Sequence, residues 1–90
     1  MYVCILDGNE IHDREQLHDR LAQSLDFPEW YGKNLDALYD CLTDVREEVE
    51  IRLLHSRSFE GYMGKYVQAL EKAVQAAAEM NPKVHWIEEK

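Results

Sequence analysis

The chain has 90 residues, of which 46% are hydrophobic and 31% are charged, a composition that predicts one globular domain over residues 1–90 with a highly charged surface. Eighteen acidic against ten basic side chains give a net charge of −8, which repels both nucleic acid and anionic lipid. We therefore expect no direct nucleic-acid binding, no membrane association and a cytoplasmic location, since the short apolar N-terminal run lacks the positive flank of a signal peptide.

The negative charge is concentrated in one half of the chain. Residues 1–45 carry ten acidic and three basic side chains, whereas residues 46–90 carry eight acidic and seven basic ones. Such an asymmetry either serves solubility alone or marks a surface for a basic partner, and charge by itself leaves both readings open.

The cysteines and histidines give no sign of a metal or redox centre. Cys4 and Cys41 lie far apart in sequence, and the four histidines lack the spacing that zinc sites use. We therefore expect reduced thiols, no metal site and no cofactor.

The chain begins with a strand and a helix. Residues 2–6 form a short apolar run that ends in the turn sequence at residues 7–9, which predicts the first strand. Asp13 followed by Gln16 has the form of a capping box, and leucines then recur every four residues. The first helix is accordingly predicted over residues 14–25.

A loop separates this helix from the next one. Residues 26–33 contain a proline and a glycine that interrupt the helical periodicity, and they also contain the adjacent aromatic residues Trp30 and Tyr31. Asn34 is a suitable N-cap for a second helix, which we expect to continue to about Thr43.

The second half of the chain is predicted to contain two strands with helices between them. Hydrophobic and charged residues alternate over 48–55, the pattern of a strand with one solvated face. A short helix is predicted around 59–63, interrupted near Gly64, and an alanine-rich helix over 65–81. A last strand follows over 84–88.

The predicted order of elements is therefore β-α-α-β-α-α-β. Strands that are joined by helical crossovers are normally parallel, so we expect an α/β fold with a three-stranded parallel sheet and about four helices. The alternation in the second strand indicates helices on one face of the sheet only, which predicts two layers.

The second helix has two different faces. On a helical wheel with about 100° per residue, its leucines form one narrow apolar seam that we expect to face the core. These leucines are Leu35, Leu38 and Leu42. The polar residues on the other side, which we call the acidic ridge, are Asp36, Tyr39, Asp40 and Thr43. Two carboxylates, a phenol and a hydroxyl beside loop aromatics have the composition of a protein-binding face.

A purely structural interpretation explains the same residues. Asp36 would complement the helix dipole, Tyr39 would lie flat on the surface, and the loop aromatics would fill the core.

A catalytic interpretation is weaker. Asp36 and Asp40 could hold a cation or act as an acid and base, but one exposed helix supplies too few ligands. The predicted wheel also turns Cys41 away from the ridge, and we expect no enzymatic activity.

Residues 28–43 carry a resemblance to a known family. Their sequence, PEWYGKNLDALYDCLT, is similar to the core of the barstar family, intracellular inhibitors of secreted bacterial ribonucleases, with the ungapped pattern YGxNLDALxDxLT. The order of elements fits that family over the whole chain. The resemblance implies a parallel sheet in the order 1-2-3 and a protein that is a monomer when free.

The resemblance also implies a partner and a set of contact residues. The partner would be a basic, extracellular-type ribonuclease that is barnase-like and guanyl-preferring. Asp40 matches the aspartate that enters the phosphate pocket of the enzyme. The other implied contact positions are Trp30, Tyr31, Gly32, Asn34, Asp36, Tyr39 and Thr43.

Several positions depart from the family pattern. Lys33 replaces an acidic residue, and Asp44 and Val45 replace a glycine and a tryptophan. Trp30 and Tyr39 exchange one aromatic type for another. These departures keep open an alternative partner, such as a different toxin nuclease or a regulatory protein that is also basic.

Overall fold

Three parallel strands and three α-helices follow one another in a computed structural model that describes residues 1–89. The elements are β1 (Tyr2–Asp7), α1 (Arg14–Leu25), α2 (Leu35–Asp44), β2 (Val49–Leu54), α3 (Gly61–Met80) and β3 (Val84–Glu89), with a 3₁₀ turn at Ser56–Ser58 before α3. The predicted α/β class and the positions of the first two helices are confirmed.

The sheet has the order β1-β2-β3 with both pairs of strands parallel, as predicted. Cys4, Ile51 and Trp86 lie side by side across it and face the helices. In the central strand, Val49, Ile51 and Leu53 are buried, while Glu50 and Arg52 between them are partly exposed. One face of the sheet is therefore covered and the other is solvated, which confirms the two-layer arrangement.

The helices pack unequally on the sheet. α1 packs against β1 and α3 packs against β3, whereas α2 packs mainly against α3. The buried residues of all these elements form one hydrophobic cluster. Asp36, Asp40 and Asp44 of α2 are exposed, so one side of this helix faces solvent.

The predicted break near Gly64 is wrong, since α3 runs without interruption from Gly61 to Met80. A glycine inside a helix costs only about 1 kcal/mol relative to alanine, and the buried stripe of this long helix outweighs that cost. A Cβ atom at Gly64 would lie 3.1 Å from the carbonyl oxygen of Phe59. Gly64 therefore allows the close approach of the segment before α3.

The start of α1 follows the predicted capping pattern. Asp13 Oδ1 accepts a hydrogen bond from the backbone N–H of Gln16 at 2.8 Å. The side chain of Gln16 in turn accepts from the backbone N–H of His12 at 2.8 Å. These two hydrogen bonds anchor the first turn of α1.

Gly8 stands where β1 and β2 end side by side. Its N–H donates to the carbonyl of Leu54 at 2.9 Å, and a Cβ atom at this position would lie only 2.2 Å from the carbonyl oxygen of His55. The close approach of two backbone segments therefore requires a residue without a side chain.

We expect Gly8→Ala to lower the free energy of unfolding by about 1–3 kcal/mol, because the added methyl forces the two strand ends apart. Urea denaturation of the variant and the wild type measures this difference. Gln23→Ala, on the exposed surface of α1, is a suitable control with an expected change within about 0.5 kcal/mol. Equal midpoints for Gly8→Ala and the control would contradict the prediction.

Candidate functional site

Asn34 fixes the N-terminal end of α2 to the loop before it. Its Oδ1 accepts from the backbone N–H of Ala37 at 2.7 Å, and its Nδ2 donates to the carbonyl of Gly32 at 3.2 Å. The predicted N-cap is confirmed. Asp36 lies in the first turn, where its negative charge also complements the helix dipole.

Asn81, directly after α3, holds the opposite end of α2. Its Nδ2 donates to the carbonyls of Leu42 and Val45, each at 3.0 Å. These carbonyls belong to the end of α2, where helices leave acceptors without intrahelical partners. Asn81 is the last residue of the helix predicted over 65–81, and nothing in the local sequence shows which carbonyls its side chain reaches.

The structure places the four residues of the acidic ridge on the outward side of α2. Asp36 and Asp40 are exposed, while Tyr39 and Thr43 are partly buried at the edge of the core. Leu38 and Leu42, on the opposite side, are fully buried, which confirms the predicted apolar seam. The hydroxyl of Thr43 donates to the backbone carbonyl of Asp40 at 3.0 Å, so its oxygen remains free to accept a further hydrogen bond.

The adjacent aromatic residues Trp30 and Tyr31 of the loop point in opposite directions. Trp30 is 80% exposed, whereas Tyr31 is only 6% exposed and packs against Phe27 with 4.9 Å between ring centroids. The side chain of Tyr31 is therefore part of the core and offers little of its own surface to a partner. The alternative, that the loop aromatics fill the core, is correct for Tyr31 and wrong for Trp30.

A buried histidine explains why Tyr31 turns inward. His18 of α1 is fully buried, and its two ring nitrogens each lie 2.6 Å from a tyrosine hydroxyl, Nδ1 from Tyr31 and Nε2 from Tyr66 of α3. A neutral imidazole offers one donor and one acceptor, which suits this bridge. Burial lowers the pKa of His18 to about 4, with the nearby Arg14 acting in the same direction.

The cation of Lys33 turns back onto α1. Its Nζ lies 2.8 Å from Asp19 Oδ1 and 3.9 Å from Glu15 Oε1, and the bond to Asp19 raises the pKa of Lys33. Lys33 itself has a left-handed backbone conformation with φ of 53°. The basic residue that departs from the family pattern is therefore paired with carboxylates of its own chain.

Three supporting residues, His18, Asp19 and Asn81, were not predicted from the sequence to contribute to the site. The available signal for His18 was its position beside Leu17 and three residues before Leu21, within the apolar face of the first helix. A histidine on such a face indicates a buried polar contact, but not the partner.

The described residues contain no group of three or more His, Cys, Asp or Glu side chains placed to hold a metal ion. Cys4 and Cys41 are free thiols, and burial raises the pKa of Cys4 to about 11. Between residues 1 and 89, no helix has the length and apolar character needed to cross a membrane.

Comparison with known proteins assigns the family. The family model described as "Barstar (barnase inhibitor)" matches residues 1–88. A protein of Bacillus subtilis (strain 168) named "Putative ribonuclease inhibitor YrdF" is 40% identical over 80 residues, which cover 88% of each chain. The chain belongs to the barstar family. The three-stranded parallel sheet in the order 1-2-3 agrees with this assignment.

Protonation of His18 should make stability depend on pH. The folded-state pKa of about 4 lies below the usual 6.5, so the unfolded chain binds more protons between these values. We expect the free energy of unfolding to fall as the pH falls from 6.5 to 4, with a contribution of up to about 1.4 kcal/mol per pH unit.

His18→Gln is the matched variant, because glutamine can donate to one tyrosine and accept from the other without titrating in this range. Urea denaturation at several pH values should show a flatter pH dependence for the variant than for the wild type. Parallel curves would show that His18 does not carry the effect.

Proposed function

We propose that this protein inhibits a basic ribonuclease of the barnase-like, guanyl-preferring type by covering its active site, and that it has no catalytic activity of its own. The family assignment and the name of the B. subtilis relative support an inhibitor of ribonuclease. The single observation that carries the mechanism is the exposed Asp40 at the centre of a ridge that is fixed at both ends of α2. Such an inhibitor would act in the cytoplasm as a monomer that pairs with one enzyme molecule.

Asp40 is the residue proposed to enter the phosphate pocket. Its carboxylate is charged, short and exposed on a rigid helix, and it would accept hydrogen bonds from the basic groups that otherwise hold a substrate phosphate. Asp36 lies one turn earlier on the same side and would accept from a second basic group. Binding through these acceptors replaces the phosphate of RNA by a carboxylate.

The surrounding contacts would come from the loop and from the edge of α2. Trp30 offers a large exposed ring, and the backbone at Gly32 and Asn34 offers polar groups near the start of α2. Tyr39 and Thr43 would complete the contact on the far side of Asp40. Tyr31 would act from the inside, because its buried hydroxyl holds the loop in place through His18.

Electrostatics also favour a basic enzyme as the partner. A ribonuclease presents positive charge where RNA binds, and the acidic first half of this chain would steer the two proteins together. Lys33 would oppose this attraction, but its pairing with Asp19 and Glu15 keeps an opposite charge beside it. Another basic partner, such as a different toxin nuclease, is the second candidate because Asp44 is exposed where the family pattern has a glycine.

Titration of the protein into microbial guanyl-preferring ribonucleases, with RNA cleavage as the readout, tests the proposal. We expect activity to be lost at a one-to-one ratio, with an association rate that falls as salt is raised. If no such enzyme is inhibited, the second candidate becomes the better explanation.

Two substitutions on α2 test the role of Asp40. Asp40→Ala should weaken binding by about 2–5 kcal/mol, because it leaves desolvated basic groups of the enzyme without a partner. Asp44→Ala should cost less than about 1 kcal/mol, as expected for an exposed pair at the rim. The inhibition constants of both variants measure this difference, and equal losses would argue against the assignment of Asp40.

A further inference from the structure

A groove opens beside α2, next to the proposed contact surface. It has a volume of about 260 Å³, and Pro28 and Trp30 of the loop and Val45 after α2 contribute its apolar lining. This volume lies below the roughly 300–1,000 Å³ of ordinary small-molecule sites. The groove is therefore better suited to one side chain of a protein partner than to a separate ligand.

Two carboxylates, Asp26 and Asp44, also line the groove, and both residues are exposed. None of the described lining residues is basic. Arg46, the nearest basic residue after Asp44 in sequence, lines a neighbouring cavity that shares Asp26 and Val45 with the groove. The groove thus combines an apolar surface with negative charge that has no cation of its own among these residues.

Cys41 also lines the groove, and its thiol responds to the negative charge of the carboxylates near it. Burial raises the pKa of Cys41, and the nearby carboxylates of Asp40 and Asp44 raise it further. Burial disfavours a charge of either sign, whereas the negative field of the two carboxylates disfavours a thiolate and favours a cation. The groove is therefore electrostatically complementary to a cation.

We propose that this groove extends the inhibitory surface and receives one lysine or arginine side chain of the ribonuclease. The apolar stem would lie against Pro28 and Trp30, the cation would pair with Asp44 or Asp26, and the indole face adds a cation–π attraction. This proposal rests on the proposed function. It adds a contact that favours ribonucleases with a lysine or arginine side chain facing the groove.

The location of the groove supports this occupant. Asp44 lies four residues after Asp40 and is therefore its neighbour on the surface of α2. Trp30 lines the groove and also belongs to the proposed contact surface. A basic enzyme seated on Asp40 would consequently bring its own surface over the opening of the groove.

A double variant tests the charge requirement. Asp26→Asn with Asp44→Asn removes both carboxylates of the groove. Glu71→Gln with Glu88→Gln makes the same change in net charge at a different cavity and is the matched control. Inhibition constants are measured against the ribonuclease that the wild type inhibits most strongly, at two salt concentrations. We expect the groove variant to bind about 5- to 20-fold more weakly than the control, with a shallower dependence on salt.

Alkylation of Cys41 by iodoacetamide provides an independent readout, because Cys4 is fully buried and Cys41 is not. Bound ribonuclease should slow the alkylation of Cys41 at least tenfold, as measured by mass spectrometry of this chain. An unchanged rate in the complex would show an unfilled groove and would overturn the proposal.

The outcomes separate this inference from the proposed function. If the wild type inhibits the ribonuclease and the two double variants have equal inhibition constants, only the groove proposal is overturned. If alkylation is slowed while the two variants remain equal, the occupant is not a cation, and the proposal is overturned in that form. No inhibition by the wild type overturns the proposed function and this extension together.

Discussion

The bridge from Tyr31 through His18 to Tyr66 is the interaction on which the geometry of the site depends. A fully buried imidazole joins two hydroxyls at 2.6 Å each and thereby connects the loop to α1 and α3. Because the bridge pulls Tyr31 inward, its neighbour Trp30 is left on the outside, where it is 80% exposed. A charged imidazolium has two donors and no acceptor, whereas the neutral ring has one of each, so the lowered pKa of His18 belongs to the same arrangement.

The remaining contacts make the acidic ridge rigid before any partner binds. Asn34 holds the first turn of α2 to the loop, and Asn81 holds its last carbonyls from the end of α3. Ordering of side chains and loops on binding is costly, so a ridge that is already fixed loses less conformational entropy in a complex. The hydrogen bonds of the two asparagines thus stabilise the fold and also lower the entropic cost of binding through Asp40.

The charged side chains on and near the acidic ridge also suit a basic partner. The net charge of −8 disfavours contact with nucleic acid, yet the exposed carboxylates of Asp36 and Asp40 offer acceptors of the kind that an RNA-binding enzyme recognises. Lys33 lies between the loop and α2 but is paired with Asp19 and Glu15. The acidic ridge therefore keeps its negative charge although the loop before it contains a lysine.

Local patterns in the sequence were sufficient to predict the three strands, the first two helices with their N-caps, and the seam of Leu38 and Leu42. Side-chain spacing along one element directly reflects which of its faces is buried, so such features can be read without knowing the rest of the chain. The continuity of α3 through Gly64, the inward turn of Tyr31 and the reach of Asn81 were decided only by tertiary structure. His18 and Tyr66 are 48 residues apart, and Asn81 and Leu42 are 39 apart. Contacts at such separations depend on how the crossovers bring α1, α2 and α3 together, which no local pattern records.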